Sequence, residues 1–174
     1  MIIFGWQRIP MDRISQDEKR RLKGSDRIQI NNILSAVCVS ALSVLLAFSD
    51  TKLSEIGLIQ LTAAIPLLVT SSLSYAKTVY RRKDEVERWD FLGWLTHSTG
   101  YLMILNAISI LLFNADYRTS AWTFISITAF LYILYSVVDI GLKRKRMKEK
   151  GLKLAYYLGF LFLGSVMPMW VGLV

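Results

Sequence analysis

Five stretches of the chain are nearly free of charge, at 30–48, 56–76, 94–113, 120–140 and 152–174, and between them they contain only Asp139 and Lys153. An α-helix needs about 20 consecutive apolar residues to cross a hydrocarbon core. The pattern therefore predicts an all-α, polytopic membrane helix bundle with about five transmembrane helices. The first stretch is the least hydrophobic at its entry, where Asn31 and Asn32 stand. The connecting segments are too short for an extramembrane domain, so the chain divides into a basic N-terminal segment, 1–29, and a transmembrane bundle, 30–174.

Charge then orients the spans. Of 21 Lys and Arg, 19 fall in residues 1–29, in the connection after the second span, or at and just beyond the connection after the fourth. The two remaining connections hold only Lys52 and Arg118. Basic loops stay on the cytoplasmic side, which predicts a cytoplasmic N-terminus and an outside C-terminus in a plasma or inner membrane. Trp89, Trp94, Tyr75 and Tyr80 then fall at the inner interface, and Tyr117, Trp122 and Trp170 at the outer one, where aromatic rings favour the headgroup zone. Met1–Ile9 is apolar but has no basic region before it and carries no mark of a cleaved signal. The N-terminal segment reads as an interfacial helix or as a basic arm.

Internal similarity adds one architectural expectation. At a constant offset of 66, residues 41–77 align on 107–143, and the identities include Asp50/Asp116 at the outer turn and Lys77/Lys143 at the inner end. Such a match suggests a tandem helical-hairpin repeat followed by an extra helix.

Polar groups inside the spans are the candidate chemistry, because an ionisable side chain in the membrane is costly unless it faces protein, water or a cation. Asp139 shares a helical face with Thr128, Tyr132, Tyr135 and Ser136, and that face can line a polar cleft. The plainer reading pairs Asp139 with Lys143 or another basic residue of the inner interface. His97, placed in the first turn of span three at the depth of Asp139, is either a proton relay or an interfacial polar residue. Ser71 and Ser74, with Thr70 and Ser72, add hydroxyls to the same half of span two. Together Asp139, His97, Ser136, Tyr132, Thr128, Ser71 and Ser74 outline a polar vestibule or ion path. Gln60 and Asn106 lie nearer the outer half, where amides bond across helices. Ala36, Ser40, Ser43 and Ala47 on span one, with Gly159 and Gly164 on span five, form small-residue seams for helix packing.

The basic loops suggest partners. Lys143, Arg144, Lys145 and Arg146 form a polybasic patch suited to anionic lipid headgroups; nucleic acid is the weaker reading, since topology accounts for the basicity. The connection 77–90 mixes both charges, is expected to prolong span two as a helix with an Asp84/Arg88 pair, and offers a docking place for a cytoplasmic protein.

Composition excludes several classes. The chain has 174 residues, 53% hydrophobic and 20% charged, with a net charge of +8, one His and one Cys. A disulfide scaffold and a zinc site of His and Cys ligands are therefore ruled out. Cys38 reads as a small buried apolar residue. No phosphate-binding loop, dinucleotide turn, nucleophile elbow, zinc helix or paired-cysteine motif occurs, so neither enzymatic activity nor a cofactor is expected. Three functions fit: an oligomeric channel, pore or membrane-perturbing effector; a transporter or transporter subunit with coupling residues near Asp139 and His97; and a noncatalytic scaffold. A homo-oligomer suits a bundle this small.

Overall fold

The computed structural model describes residues 16–47, 54–80, 83–142 and 147–174, and every regular element among them is helical. In chain order these are α1 (Gln16–Ala47), α2 (Glu55–Tyr80), α3 (Lys83–Asn114), α4 (Arg118–Leu142) and α5 (Met147–Leu161). α5 continues through a π-helical segment, Phe162–Val166, into the short α6 (Met167–Val171). With α5 to α6 taken as one rod, five helices are long and apolar enough to cross a membrane. By helix length and hydropathy the chain is a multi-pass membrane protein.

Two boundaries differ from the sequence pattern. α1 starts at Gln16 and has no break at residue 29, so 16–29 forms the first turns of span one rather than a separate surface segment. Its first residues, QDEKRRLK, are mostly good helix formers that need no apolar face to extend a helix already nucleated in the span. α2 ends at Tyr80 and α3 begins at Lys83, so 83–90 prolongs span three and not span two. The tether is visible at Asp90, which pairs with Lys23 and Arg27 of α1, each at 3.9 Å. Residues 1–15, 143–146 and the side chain of Asp84 lie outside the described residues, and with them the N-terminal anchor, the Lys143–Arg146 patch and the Asp84/Arg88 pair.

α3 is the central helix. Half of the positions in its most apolar stretch are buried, against 11% in α1 and α4, and it touches α1, α2, α4, α5 and the π segment. Its tightest partner is α2, and glycines explain why. A Cβ at Gly93 would meet the Tyr75 ring at 3.0 Å, one at Gly100 would meet Leu68 Cγ at 3.1 Å, and one at Gly57 would meet Leu111 Cγ at 3.2 Å. In lipid, where apolar burial does not drive association, close approach and dispersion contacts hold helices together. Two apolar clusters result. Cys38, Leu61, Ala64, Leu68, Ile104 and Ala107 join α1, α2 and α3, while Leu102, Ala121, Ile125, Leu161 and Met169 join α3 to α4, α5 and α6.

The turn from α3 to α4 closes with Tyr117 N–H donating to Leu112 O (3.0 Å) and Asp116 N–H to Phe113 O (3.2 Å). This is a Schellman cap, and Asp116 takes its left-handed position at φ 64°, a conformation that Asp tolerates better than most residues.

The π segment also has a local cause. Pro168 has no N–H, so the Gly164 carbonyl four residues back loses its α-helical donor. The helix widens, Met167 N–H donates to Phe162 O five residues back, and Gln60 Nε2 of α2 supplies the missing bond to Gly164 O at 2.9 Å.

Candidate functional site

One end of the bundle collects the start of α1, the end of α2, the start of α3, the end of α4 and the start of α5, and it is the basic end. A cleft of about 360 Å³ opens there among Lys23, Arg27, Asp90, Trp94, Lys150 and Lys153. Arg27 is fixed twice, donating from Nη1 to Tyr75 Oη and lying 4.7 Å over the Tyr75 ring. Lys153 donates to Glu149 (2.8 Å) and sits 4.8 Å from the centre of the Trp94 ring. Lys150 donates to Asp139. The cations of this cleft are thus held against carboxylates and aromatic faces.

His97 lies two turns further along α3 than Asp90, about 10 Å deeper at 1.5 Å per residue. Asn31 of α1 and Ser71 of α2, both fully buried, meet it there. The directions of the hydrogen bonds follow from one another. The Ser71 hydroxyl donates to Gly93 O at 2.8 Å, because a carbonyl can only accept. Its oxygen is then the acceptor for Asn31 Nδ2 at 3.0 Å. That orients the amide with Oδ1 toward His97 Nδ1 at 2.6 Å, so Nδ1 carries the proton and a neutral ring presents Nε2 as a lone pair. The His97 ring stacks on Tyr101 one turn along, with centroids 6.4 Å apart. Three helices are tied by this one junction, in which Asn31 and Ser71 are buried and His97 is half-buried.

Beside it, aromatic residues of α5 dock on α3. Trp94 Nε1 donates to Tyr157 Oη (3.1 Å), Ser98 Oγ is 3.2 Å from the same hydroxyl, and Thr99 bonds Tyr156 Oη at 2.6 Å. Since Thr99 spends its proton on Leu95 O (2.7 Å), Tyr156 is the donor. Tyr132 of α4 stacks on Tyr157 at 4.9 Å.

Beyond an apolar layer that includes Leu68, Leu102 and Ile104, a second polar junction surrounds the π segment. Ser165 donates to Asn106 Oδ1 at 2.6 Å, and Asn106 Nδ2 donates to Phe160 O at 3.2 Å. Gly164 is obligatory here, since a Cβ would lie 2.8 Å from Asn106 Cγ. Gln60 Oε1 is buried without a hydrogen-bond partner.

The seven residues expected to form one vestibule fall in separate places. Ser71 and His97 come together, through Asn31. Ser74 turns its hydroxyl to Thr70 O (2.8 Å) within α2. Asp139 meets Lys150, which lines the cleft with Asp90, so Asp139 lies at the basic end and His97 is deeper. Ser136 is buried on α4. Thr128 and Tyr132 line a groove of about 520 Å³ between α3 and α4, with Tyr101 and Tyr135. Among the packing seams, Gly164 is in contact, whereas Gly159 has nothing within 4 Å and Ala36, Ser40, Ser43 and Ala47 face away from the bundle. Tyr75, expected at the interface, is buried at 1% exposure. Tyr156, Tyr157, Ser165, Gly93 and Pro168 were missed; only Pro168, inside an apolar run, carried a readable signal. No group of three or more His, Cys, Asp or Glu side chains suited to a metal ion occurs among the described residues.

Fold and site together define an all-helical bundle with five apolar helices of membrane-crossing length and a polar interior organised around α3. No protein-family model, curated protein or solved structure matches the chain.

Proposed function

We propose that this chain is a non-enzymatic membrane transport protein that passes protons or small ions, with His97 as its ionisable centre and its basic end in the cytoplasm. The observation that carries this reading is the Asn31–Ser71–His97 junction, which sits one helical turn from Arg27 and Trp94 in the wall of a charged cleft of about 360 Å³. An ionisable group held inside a bundle by neutral polar partners is the feature expected of an ion pathway. Asp139, paired with Lys150 at the cleft wall, serves as an anchor and not as the coupling group.

The test is flux from the purified protein in proteoliposomes carrying a pH-sensitive dye and an imposed ion gradient. The gradient collapses faster than in empty vesicles, His97→Gln removes most of that difference, and Asp139→Asn leaves it in place. Wild-type vesicles as tight as empty ones overturn the reading.

A homo-oligomer is a second reading, supported by the outward direction of Ala36, Ser40, Ser43 and Ala47, whose small side chains permit close helix approach between copies. Single-particle mass in nanodiscs checks it, and a monomer at all protein concentrations removes it.

A further inference from the structure

A groove of about 520 Å³ runs along the α3–α4 contact, and every residue that lines it is uncharged. On α4 it extends from Phe124 to Tyr135, about 16 Å, and is centred on the middle of the span Arg118–Gly141. Its α3 wall, Tyr101 and Leu105, lies near the middle of the span Val86–Asn114. The groove is therefore at mid-membrane depth, and the exposed Ile127 and Leu131 at its mouth open it sideways onto hydrocarbon. Thr128 and Tyr132, one turn apart on α4, and Tyr101 on α3 bring three hydroxyls to its wall. None of the three has a hydrogen-bond partner among the described residues. They contrast with Thr62, Thr96 and Thr99, which donate to the carbonyl four residues back, and with Tyr75, Tyr156 and Tyr157, whose hydroxyls are bonded to neighbouring helices.

The chemistry of an occupant follows from those hydroxyls. The bilayer core holds no water to pair them, and a hydroxyl without a partner there is costly. A phospholipid tail has no acceptor at this depth, since its ester and phosphate oxygens stay at the interface, so it fills the groove without pairing them. A sterol keeps its one hydroxyl at the interface as well. What pairs them is a neutral molecule that dissolves in hydrocarbon and carries acceptor oxygens into it. The rings of Tyr101, Phe124 and Tyr132 favour a flat ring beside them, stacked offset or edge to face, and the groove volume is that of a small-molecule site. We propose that the α3–α4 groove binds a lipid-soluble quinone. Its ring carbonyls accept from Tyr101 and Tyr132, whose phenols are stronger donors than the Thr128 alcohol, and its apolar tail leaves past Ile127 and Leu131 into the lipid. The site borders the His97 junction only through the Tyr101 ring, which stacks on His97, so it stands independently of ion passage.

The experiment uses the full chain in phosphatidylcholine nanodiscs and a decyl-substituted benzoquinone, with an azido form of the same quinone for photolabelling and mapping of the labelled residues. Label concentrates at Tyr101, Leu105 and 124–135 and is displaced by the plain quinone, whereas label on the exposed α1 residues Val37 and Val44 is not displaced. Label that spreads evenly, that resists displacement, or that is absent because a second copy covers the groove overturns the site. Leu131→Trp, which fills the groove, removes the displaceable label, whereas Ile133→Trp, exposed but outside the lining, keeps it; equal label in the two variants overturns the site as well. The carbonyls are tested separately. Tyr101→Phe with Tyr132→Phe keeps both rings, removes both phenol donors and lowers affinity for the quinone about tenfold, as the loss of two neutral hydrogen bonds implies. Decylbenzene, with the same tail and no carbonyl, competes for the site about tenfold less well for the same reason. Unchanged affinity in the double variant, or equal competition by decylbenzene, overturns the pairing of carbonyls with the groove hydroxyls.

Discussion

Replacing Gly164 with alanine tests the polar junction around the π segment most directly. The new Cβ would stand 2.8 Å from Asn106 Cγ, and Asn106 is fully buried, so its side chain has no free space to enter. To make room, Asn106 must leave Phe160 O and Ser165 Oγ, its two interhelical partners. Overpacking a close contact costs about 1–3 kcal/mol, and each interhelical hydrogen bond in a membrane bundle contributes about 0.6 kcal/mol. The loss is then about 2–4 kcal/mol, offset by about 1 kcal/mol of helix propensity gained on replacing glycine. Gly159, one and a half turns earlier on the same rod, supplies the control, since a Cβ there meets nothing within 4 Å. Gly159→Ala gains the propensity and loses nothing. The measurable quantity is the difference between the two alanine variants, in which propensity cancels and about 2–4 kcal/mol remains. Equilibrium unfolding in mixed micelles, followed by helical circular dichroism, reads it. Two variants within 0.5 kcal/mol of each other, on the order of the scatter between independent sites, would refute the reasoning. Adding Asn106→Ala to Gly164→Ala relieves the collision, so the double variant is less destabilised than the sum of the singles.

Three further outcomes are expected. Asn31→Leu removes the acceptor of His97 Nδ1 and the donor to Ser71 in one step, and lowers stability by about 1–3 kcal/mol in the same titration, the cost of an orphaned buried donor. Gly100→Ala pushes a Cβ to 3.1 Å from Leu68 Cγ and 3.3 Å from the Ala64 carbonyl; because backbone cannot yield as a side-chain tip does, the contact costs about 1–3 kcal/mol against about 1 kcal/mol of propensity gained, and the midpoint of unfolding falls below that of Gly159→Ala, which gains the propensity alone. Asp139→Asn alone, which leaves Lys150 without its anionic partner, costs about 1.5–3 kcal/mol, and most of that loss is recovered when Lys150→Gln is added, as a double-mutant cycle would record.

The five spans were legible because lipid imposes a length and an apolar content on every crossing helix, and the sequence meets both at five places. Helix starts were less so. Residues 16–29 and 83–90 are polar because they leave the hydrocarbon, and polarity says nothing about whether the helix continues. The partners of polar residues were harder still. Asn31 and His97 are 66 positions apart and lie on different helices, so periodicity along one helix could not pair them. Thr128, Tyr132 and Tyr135 of span four share one groove, which the period of a single helix can place together, whereas His97 lies deeper than its position in an apolar run from Trp94 implies, because α3 starts at Lys83. Glycine gave a mixed signal. Gly93 and Gly100, seven residues apart, stand on the face α3 turns to α2, while Gly159 and the small residues of span one face outward, and composition does not distinguish the two.

The two sides of α3 are held by different forces. Toward α2 the helices approach through Gly93, Gly100 and Gly57, and the contact is mainly apolar, with the Ser71 hydroxyl bonded to Gly93 O as a polar link near the basic end. Toward α5 the attachment is directional: Tyr156 to Thr99, Trp94 to Tyr157, Asn106 to Phe160 and Ser165, with Gln60 reaching Gly164 from α2. A hydrogen bond weakens steeply once its geometry is lost, so these links hold α5 at one height on α3 and release it as a set. α5 also carries Lys150 and Lys153 into the cleft and presents Tyr157 beside Ser98, one residue from His97. Any rearrangement that widens the cleft toward His97 by moving α5 has to break that set first, whereas the α2–α3 pair can stay intact.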